Sequence, residues 1–214
     1  MIKIVIADDH AVVREGLKRI ISTAQDMAVV GEAACGAEVI QQVRDSDFDV
    51  LVLDLSMPGR SGMELIKLVR CEKPRLRILV LSMHEELQYA VRSIKSGASG
   101  YLTKESAPAQ LMQVLRKVSA GGAYISTGVA EQLALGSMLG SSCAPHQMLT
   151  DREFEVFRLI ATGMSITEIA GRLNLSAKTI STHKANLMQK MSLQNQSELI
   201  RYAIKHGVAE PLEP

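Results

Sequence analysis

Residues 1–10 read MIKIVIADDH, and they decide the fold. From Ile2 to Ala7 the chain is apolar apart from Lys3, and it then stops on Asp8 and Asp9. A strand with one wet face alternates apolar and polar residues, whereas a strand covered on both faces does not. The run therefore reads as a buried strand that ends in acid. Four more runs of this texture follow, at Met27–Ala33, Val50–Leu53, Ile78–Leu81 and Ser99–Leu102. Helical periodicity fills the gaps, at Val12–Ala24, Ala37–Val43, Gly62–Cys71, Glu86–Ser96 and Pro108–Ala120. The last begins with Pro108 and halts before Gly121-Gly122, which suits a helix start and stop. Five β–α units in about 120 residues predict an α/β doubly wound, five-stranded parallel sheet.

Farther along, the texture changes. A helix is expected over Ser126–Met138, and the small residues and Pro of Gly140–Gln147 mark a linker. Beyond it strand-like runs vanish. Helices are expected at Thr150–Thr162, Ser165–Leu173, Ser176–Met191 and Gln196–His206. The expected division is an α/β domain over 1–122, a linker helix and flexible linker over 123–148, and an all-α four-helix domain over 149–214.

Composition narrows the function. The chain has 214 residues, 47% of them hydrophobic, so it can bury a core. No apolar run approaches the roughly 18 residues of a transmembrane helix. The N-terminus lacks the basic stretch, apolar stretch and cleavage site of a secretory signal. A cytoplasmic protein with no membrane partner is the expectation. Cys35, Cys71 and Cys143 are odd in number and widely spaced, which argues against a disulfide framework or zinc site. The net charge of +1 says nothing about nucleic acid. Its distribution says more: between Ile169 and Ser197 stand Arg172, Lys178, Lys184 and Lys190, with no acid. Phosphate backbones attract such a stripe, although ordinary solvated helices also carry one.

In doubly wound sheets, ligands collect at the carboxyl ends of strands. Asp8 and Asp9 follow the first strand, Asp54 the third, Ser82 ends the fourth and Lys104 follows the fifth. Any one would be ordinary, since strand ends need polar residues; the set is not. Crowded carboxylates raise one another's pKa unless a cation joins them. Hard oxygen ligands with room for water suit Mg2+. That cation and Lys104 could neutralise a transferring phosphoryl group. A carboxylate can serve as nucleophile and form an acyl phosphate. Asp54, alone at its strand end, is the candidate, and Ser82 could then bond a phosphoryl oxygen. His10 and His84 flank the region and are assigned no role.

The stretches IVIADDH, VLDLSMPGRSG, ILVLS and GYLTK, at this spacing, resemble the receiver domain of two-component response regulators, a flavodoxin-like fold. The resemblance implies that Asp54 is phosphorylated, and that Asp8, Asp9, Asp54 and the backbone carbonyl of Ser56 hold Mg2+. It makes Ser82 the switch hydroxyl, Tyr101 the switch aromatic and Lys104 the phosphate partner. The implied donor is a phosphohistidine on a sensor histidine kinase. One position departs from the pattern: many receivers place Pro after the lysine, and this chain has Glu105. The geometry of that loop is therefore not inherited.

Laid out as a helix, Ser176–Met191 puts Ile180, Leu187 and Met191 on one side. Lys178, Thr182, Ala185 and Gln189 fall opposite, flanked by Ser181 and Asn186. This face is small and polar, with one lysine and no acid, as a DNA groove requires. His183 falls at the core edge, where half-buried packing is expected. Ile166–Leu173 and the Asn174-Leu175 turn precede it, which gives a helix-turn-helix pattern that other three-helix bundles share. The segment LTDREFEVFRLIATGMSITEIAGRLNLSAKTISTHKANLMQKM closely resembles the LuxR-type DNA-binding domain, which is joined to a receiver in the NarL/FixJ subfamily. The resemblance makes Ser176–Lys190 the recognition helix. Lys178, Ser181, Thr182 and Ala185 would approach bases, with Asn186 beside them, and Thr179 and Lys190 would meet phosphates. Some relatives carry Lys where this chain has Ser181 or Ala185, so the target sequence is not inherited and indirect readout can contribute.

The expected function is a DNA-binding response regulator, not an enzyme. A sensor histidine kinase phosphorylates it on Asp54, and it binds double-stranded DNA as a homodimer. Two alternatives stay open. One is a phosphorylation-independent DNA-binding regulator whose receiver only docks. The other is an Mg-dependent aspartyl phosphohydrolase, which wants a second Asp two residues after the nucleophile, where this chain has Ser56.

Overall fold

Each apolar run forms a strand: β1 (Ile2–Ala7), β2 (Met27–Ala33), β3 (Val50–Asp54), β4 (Arg77–Ser82) and β5 (Gly100–Thr103). The computed structural model describes residues 1–57, 62–83, 87–138 and 144–208. His84, Cys143 and the middle of the expected linker lie outside them. The strands are parallel and ordered β2-β1-β3-β4-β5. Between them run α1 (Ala11–Ser22), α2 (Gly36–Asp45), α3 (Gly62–Glu72), α4 (Leu87–Ser96) and α5 (Ala107–Ser119).

Burial on both faces explains the unbroken apolarity of β3, β4 and most of β1 and β5, whereas the edge strand β2, expected to be covered likewise, is only partly buried, with Val30 47% exposed. Ile4, Ile6, Val50, Val52, Leu79, Leu81 and Leu102 join Leu17 and Ile21 of α1 and Leu111, Val114 and Val118 of α5 in one core. The alternate residues Val5, Leu51, Leu53, Ile78 and Val80 are also fully buried. On their account α2 lies against β1 and β2, and α3 links α2 to α4. Each such side chain contributes roughly 1.5–3 kcal/mol by leaving water. Gly62 opens α3 because a Cβ there would stand 2.7 Å from the Cα of Leu55.

After α5 come α6 (Thr127–Met138), a short 3-10 helix (Pro145–Met148), α7 (Asp151–Ala161), α8 (Ile166–Leu173), α9 (Ala177–Lys190) and α10 (Gln196–Lys205). The chain divides into two compact units, Met1–Leu133 and Ala134–Pro214. The second is built around Phe154, Phe157, Ile160, Ile169, Ile180, Leu187 and Leu199, all 2% exposed or less. Its helices start where the sequence supplies caps. Thr150 with Glu153, and Ser165 with Glu168, form capping boxes, while Ser176 and Asn195 cap α9 and α10.

The expected linker over 123–148 is narrower in the structure, because both of its ends are bound. At one end Tyr124 N donates to Ser99 O at 3.1 Å, its carbonyl accepts from Tyr101 N at 3.0 Å, and Val129 is buried. At the other end His146 is 2% exposed and its Nδ1 lies 2.8 Å from the Tyr202 hydroxyl.

Candidate functional site

Strand order places the acids. Consecutive connections leave β1 in opposite directions, towards β2 on one side and β3 on the other, which opens a crevice at the β1/β3 boundary. Ala7 pairs with Leu53, so the next residues, Asp8 and Asp54, emerge side by side. Asp54 in turn pairs with Leu81 and Ser82 with Thr103, which brings Ser82 and Lys104 to the same rim. Lys104 N donates to Ser82 O at 2.8 Å.

Asp8 and Asp54 are each 1% exposed, and Ser82 is fully buried. Lys104 Nζ reaches both acids, 3.0 Å from Asp54 Oδ2 and 2.6 Å from Asp8 Oδ2. The contact with Asp54 is a hydrogen bond. The one with Asp8 is an ion pair, and Lys104 is the group that serves this buried oxygen. Asp8 Oδ1 accepts from His10 N at 2.9 Å, and Asp54 Oδ1 accepts from Ser56 N at 3.2 Å. Burial pushes the Asp54 carboxyl above its ordinary pKa, and Lys104 only partly opposes it, while the Asp8 charge adds to the rise. Burial acts to lower the pKa of Lys104, but bonds and charges from Asp8 and Asp54 outweigh it, and the ammonium is held above its ordinary value. Two carboxylates thus share one buried cation and remain short of positive charge.

Candidate ligand atoms of Asp8, Asp9, His10 and Asp54 all lie within 4.8 Å of one another. Three clustered carboxylates that share one buried lysine, and a wet outer side where the Asp9 side chain is 30% exposed, fit a hard divalent cation that keeps some waters. Tyr101 is buried on β5 and lines a cavity of about 360 Å³ with Leu87 and Ala90 of α4, Ser106 and Gln110 of α5, and Tyr124. In the loop at Glu105, Ser106 N donates to Thr103 Oγ1 at 3.3 Å, and no cis peptide bond occurs among the described residues.

Two neighbours escaped the sequence reading. Arg14 Nη1 donates to the Asp8 carbonyl at 2.7 Å, and its Nε donates to Glu32 at 3.1 Å, which ties α1 and β2 to the acidic turn. His10, assigned no role, places Nδ1 2.9 Å from Asp9 Oδ1 and 3.2 Å from Asp8 Oδ1. The signal for both was position: His10 is next to the acids, and Arg14 lies one turn into α1.

In the second unit, α8 ends with Asn174 in the left-handed region (φ 51°), and Leu175 N returns to Ala170 O at 2.9 Å. Asn174 N also bonds Gly171 O, completing a Schellman turn that swings the chain into α9. Along α9, Ile180, Leu187 and the following Met191 are buried. Lys178, Ser181, Thr182, Ala185, Asn186 and Gln189 are exposed, and Thr179 and His183 are half-buried. The Ser181 and Thr182 hydroxyls donate to carbonyls one turn back, at 2.9 and 3.0 Å, so their free lone pairs face outward as acceptors. Lys190 is engaged within the protein: its Nζ lies 2.7 Å from Glu153 Oε2.

Comparison with known proteins follows this division. Residues 4–116 match the model of the response regulator receiver domain, and residues 147–203 match that of bacterial regulatory proteins of the luxR family. The chain is 40% identical over 216 residues to the oxygen regulatory protein NreC of Staphylococcus epidermidis, covering 97% of this chain and 99% of NreC. It is 33% identical over 209 residues to the response regulator UvrY of Escherichia coli, covering 97% and 96%. A solved structure of RcsB from Salmonella enterica serovar Typhimurium, bound to a promoter in the presence of phosphomimetic BeF3-, is similar with a TM-score of 0.66 and 33% identity over 94% of this chain and 97% of that one. Another shows two RcsB dimers on two parallel DNAs, with a TM-score of 0.58 and 32% identity over 94% of this chain and 96% of that one. The chain belongs to the two-component response regulators in which a receiver domain is followed by a LuxR-type DNA-binding domain.

Proposed function

We propose that this regulator is switched by phosphorylation of Asp54, and that the switch controls how α9 engages double-stranded DNA. The observation that carries the reading is the buried Asp8–Lys104–Asp54 cluster at the one crevice the sheet topology creates. Asp54 Oδ attacks the phosphorus of a phosphohistidine on a sensor histidine kinase; the new O–P bond forms as the N–P bond breaks and the imidazole departs. Asp8, Asp9, Asp54 and the Ser56 carbonyl would hold Mg2+, which when bound supplies positive charge to the transferring phosphoryl oxygens. Lys104, already within reach of Asp54, supplies a second cation on the protein side. Ser82 would bond a phosphoryl oxygen, and Tyr101 would follow that movement on the face of α4 and α5.

The receiver function belongs to residues 1–122 and the DNA-reading function to 149–214. In the latter, Lys178, Ser181, Thr182, Ala185 and Asn186 form the base-facing surface. Thr179 and Lys190 would meet phosphates, and Lys190 would exchange Glu153 for DNA. The neighbouring RcsB structures support action as a homodimer on DNA. The described helices include none long and apolar enough to cross a membrane, and a cytoplasmic site of action fits a DNA-binding regulator. Genome-wide footprinting of wild type beside Asp54→Ala tests the reading. Binding at discrete sites that falls at least tenfold in the variant is expected; equal occupancy would contradict the switch.

A further inference from the structure

The phosphorylation reading uses Tyr101 but not the cavity that Tyr101 helps to line. That cavity, of about 360 Å³, lies between α4, β5, α5 and the segment that follows α5. Sites for small molecules run from about 300 to 1,000 Å³ and set a few placed polar groups among apolar walls. These walls are preformed. Tyr124 donates its N–H to Ser99 O at 3.1 Å and accepts from Tyr101 N at 3.0 Å through its carbonyl. Its hydroxyl donates to Gln110 Oε1. Leu102 and Val129, each 3% exposed, supply apolar wall. The lining decides what fits. No described residue that lines the cavity is charged, so an ionised ligand would lose water without gaining a counter-charge. Lys117 Nζ, 5.9 Å from the centre of the Tyr124 ring, sits over that ring and is not part of the lining. The unused polar groups are donors. With Oε1 taken by Tyr124, the Gln110 amide keeps both N–H groups without a partner among the described residues. Ser126 Oγ accepts from Val129 N at 3.4 Å and keeps its own hydrogen. Such donors suit a carbonyl oxygen, and two tyrosines suit a planar ring.

We infer that this cavity binds an uncharged planar molecule of two or three rings that carries a carbonyl, and that the bound molecule opposes the switch. The second half rests on the Asp54 reading; the first does not. Tyr101 belongs to the wall and is tied through its N–H to Tyr124, which closes the other side. Movement of Tyr101 towards a phosphorylated Asp54 takes part of that wall away. The ligand therefore favours Tyr101 where it stands. By linkage, phosphorylation weakens ligand binding by the factor with which the ligand opposes the switch. The regulator thus has a second, chemical input on the face that carries its output.

Titration of the full chain with Prodan, an uncharged fluorescent naphthyl ketone whose emission moves to the blue in apolar surroundings, tests this. Saturation at one probe per chain, with a blue shift, is expected. Gln110→Glu keeps the side-chain shape and the bond from Tyr124 but removes both donors, while Ala90→Leu fills space from α4. Each should weaken binding on the order of tenfold. Two unrelated variants guard against a local folding effect, and circular dichroism of both should match wild type. Mg2+ with BeF3- should weaken binding to wild type, and that loss should be absent in Asp54→Ala. No binding, uptake that does not saturate, or binding that neither variant changes would mean an adventitious additive only; it would overturn the inference and leave the Asp54 reading standing. Unchanged affinity in protein whose fluorine resonance shows bound BeF3- would overturn the link to the switch. Failure of BeF3- to bind would count against the Asp54 reading, and the two variants would still decide the site.

Discussion

Lys104 is the residue on which the acidic crevice balances. It is 11% exposed and serves two carboxylates that are 1% exposed. Removing it leaves two buried charges without a counter-ion, a change that costs about 3 kcal/mol. Lys104→Ala should therefore unfold at lower urea in the absence of Mg2+, and added Mg2+ should recover part of the loss. An unchanged midpoint would show that the acids are solvated in solution. Asp54 behaves in the opposite sense. Its carboxyl is raised in the folded state, chiefly by burial, so the folded protein holds that proton more tightly than the unfolded one. Its penalty is absent at a pH below the ordinary value of 3.8, grows as pH rises from there towards the folded value, and is fully present above it. Asp54→Asn should be more stable than wild type at pH 7 without Mg2+, and the advantage should shrink towards acid pH. Urea unfolding at several pH values measures it. A constant difference across pH would contradict the assignment. The gathering of Asp8, Asp54 and Lys104 was legible in the sequence because each stands at the end of a recognisable strand. The partnership of Arg14 with the Asp8 carbonyl was not, since nothing in a helix pattern tells which exposed base turns back.

At the scale of the element, strand and helix boundaries were legible wherever a residue type punctuates them. Pro108 and Gly121 bracket α5, and Thr150, Ser165, Ser176 and Asn195 cap the four helices of the second unit. Thr150→Ala should cost about 1 kcal/mol in thermal or urea unfolding, while Glu153 keeps its ion pair with Lys190. Burial acts to raise the pKa of that glutamate, but Lys190 and the Thr150 amide outweigh it, so it titrates below its ordinary 4.5. The stability it contributes is present above that pH and is lost as pH falls through the folded value. The face of α9 yields a sharper test. Ala185 is exposed, so Ala185→Glu should leave the melting temperature nearly unchanged while placing a charge against DNA phosphates. A loss of DNA affinity of at least about tenfold is expected at fixed salt; undiminished binding would mean that another surface reads the DNA. His146 shows where sequence reasoning fails at this scale. Small residues and Pro145 made its neighbourhood look like linker, yet Tyr202, 56 residues away, draws it into the core. A contact of that span leaves no local pattern.

For the whole molecule, the division into an α/β unit and a helical unit was legible from one change of texture, because among the described residues the strands lie within the first 120 residues or so and helices follow. The joint was less legible, since both ends of the expected linker are held by tertiary hydrogen bonds. The proposed switch adds about −1.5 to −2 charges at a crevice already short of positive charge. Such a change is large for a chain whose net charge is +1, and it falls where Lys104 and Ser82 can respond. Its most direct test is to incubate the full chain with acetyl phosphate and Mg2+, and to locate the product by intact mass and peptide mapping. A single adduct of about 80 Da on Asp54, absent in Asp54→Asn, is the predicted result. No adduct, or one on any other residue, would contradict the account.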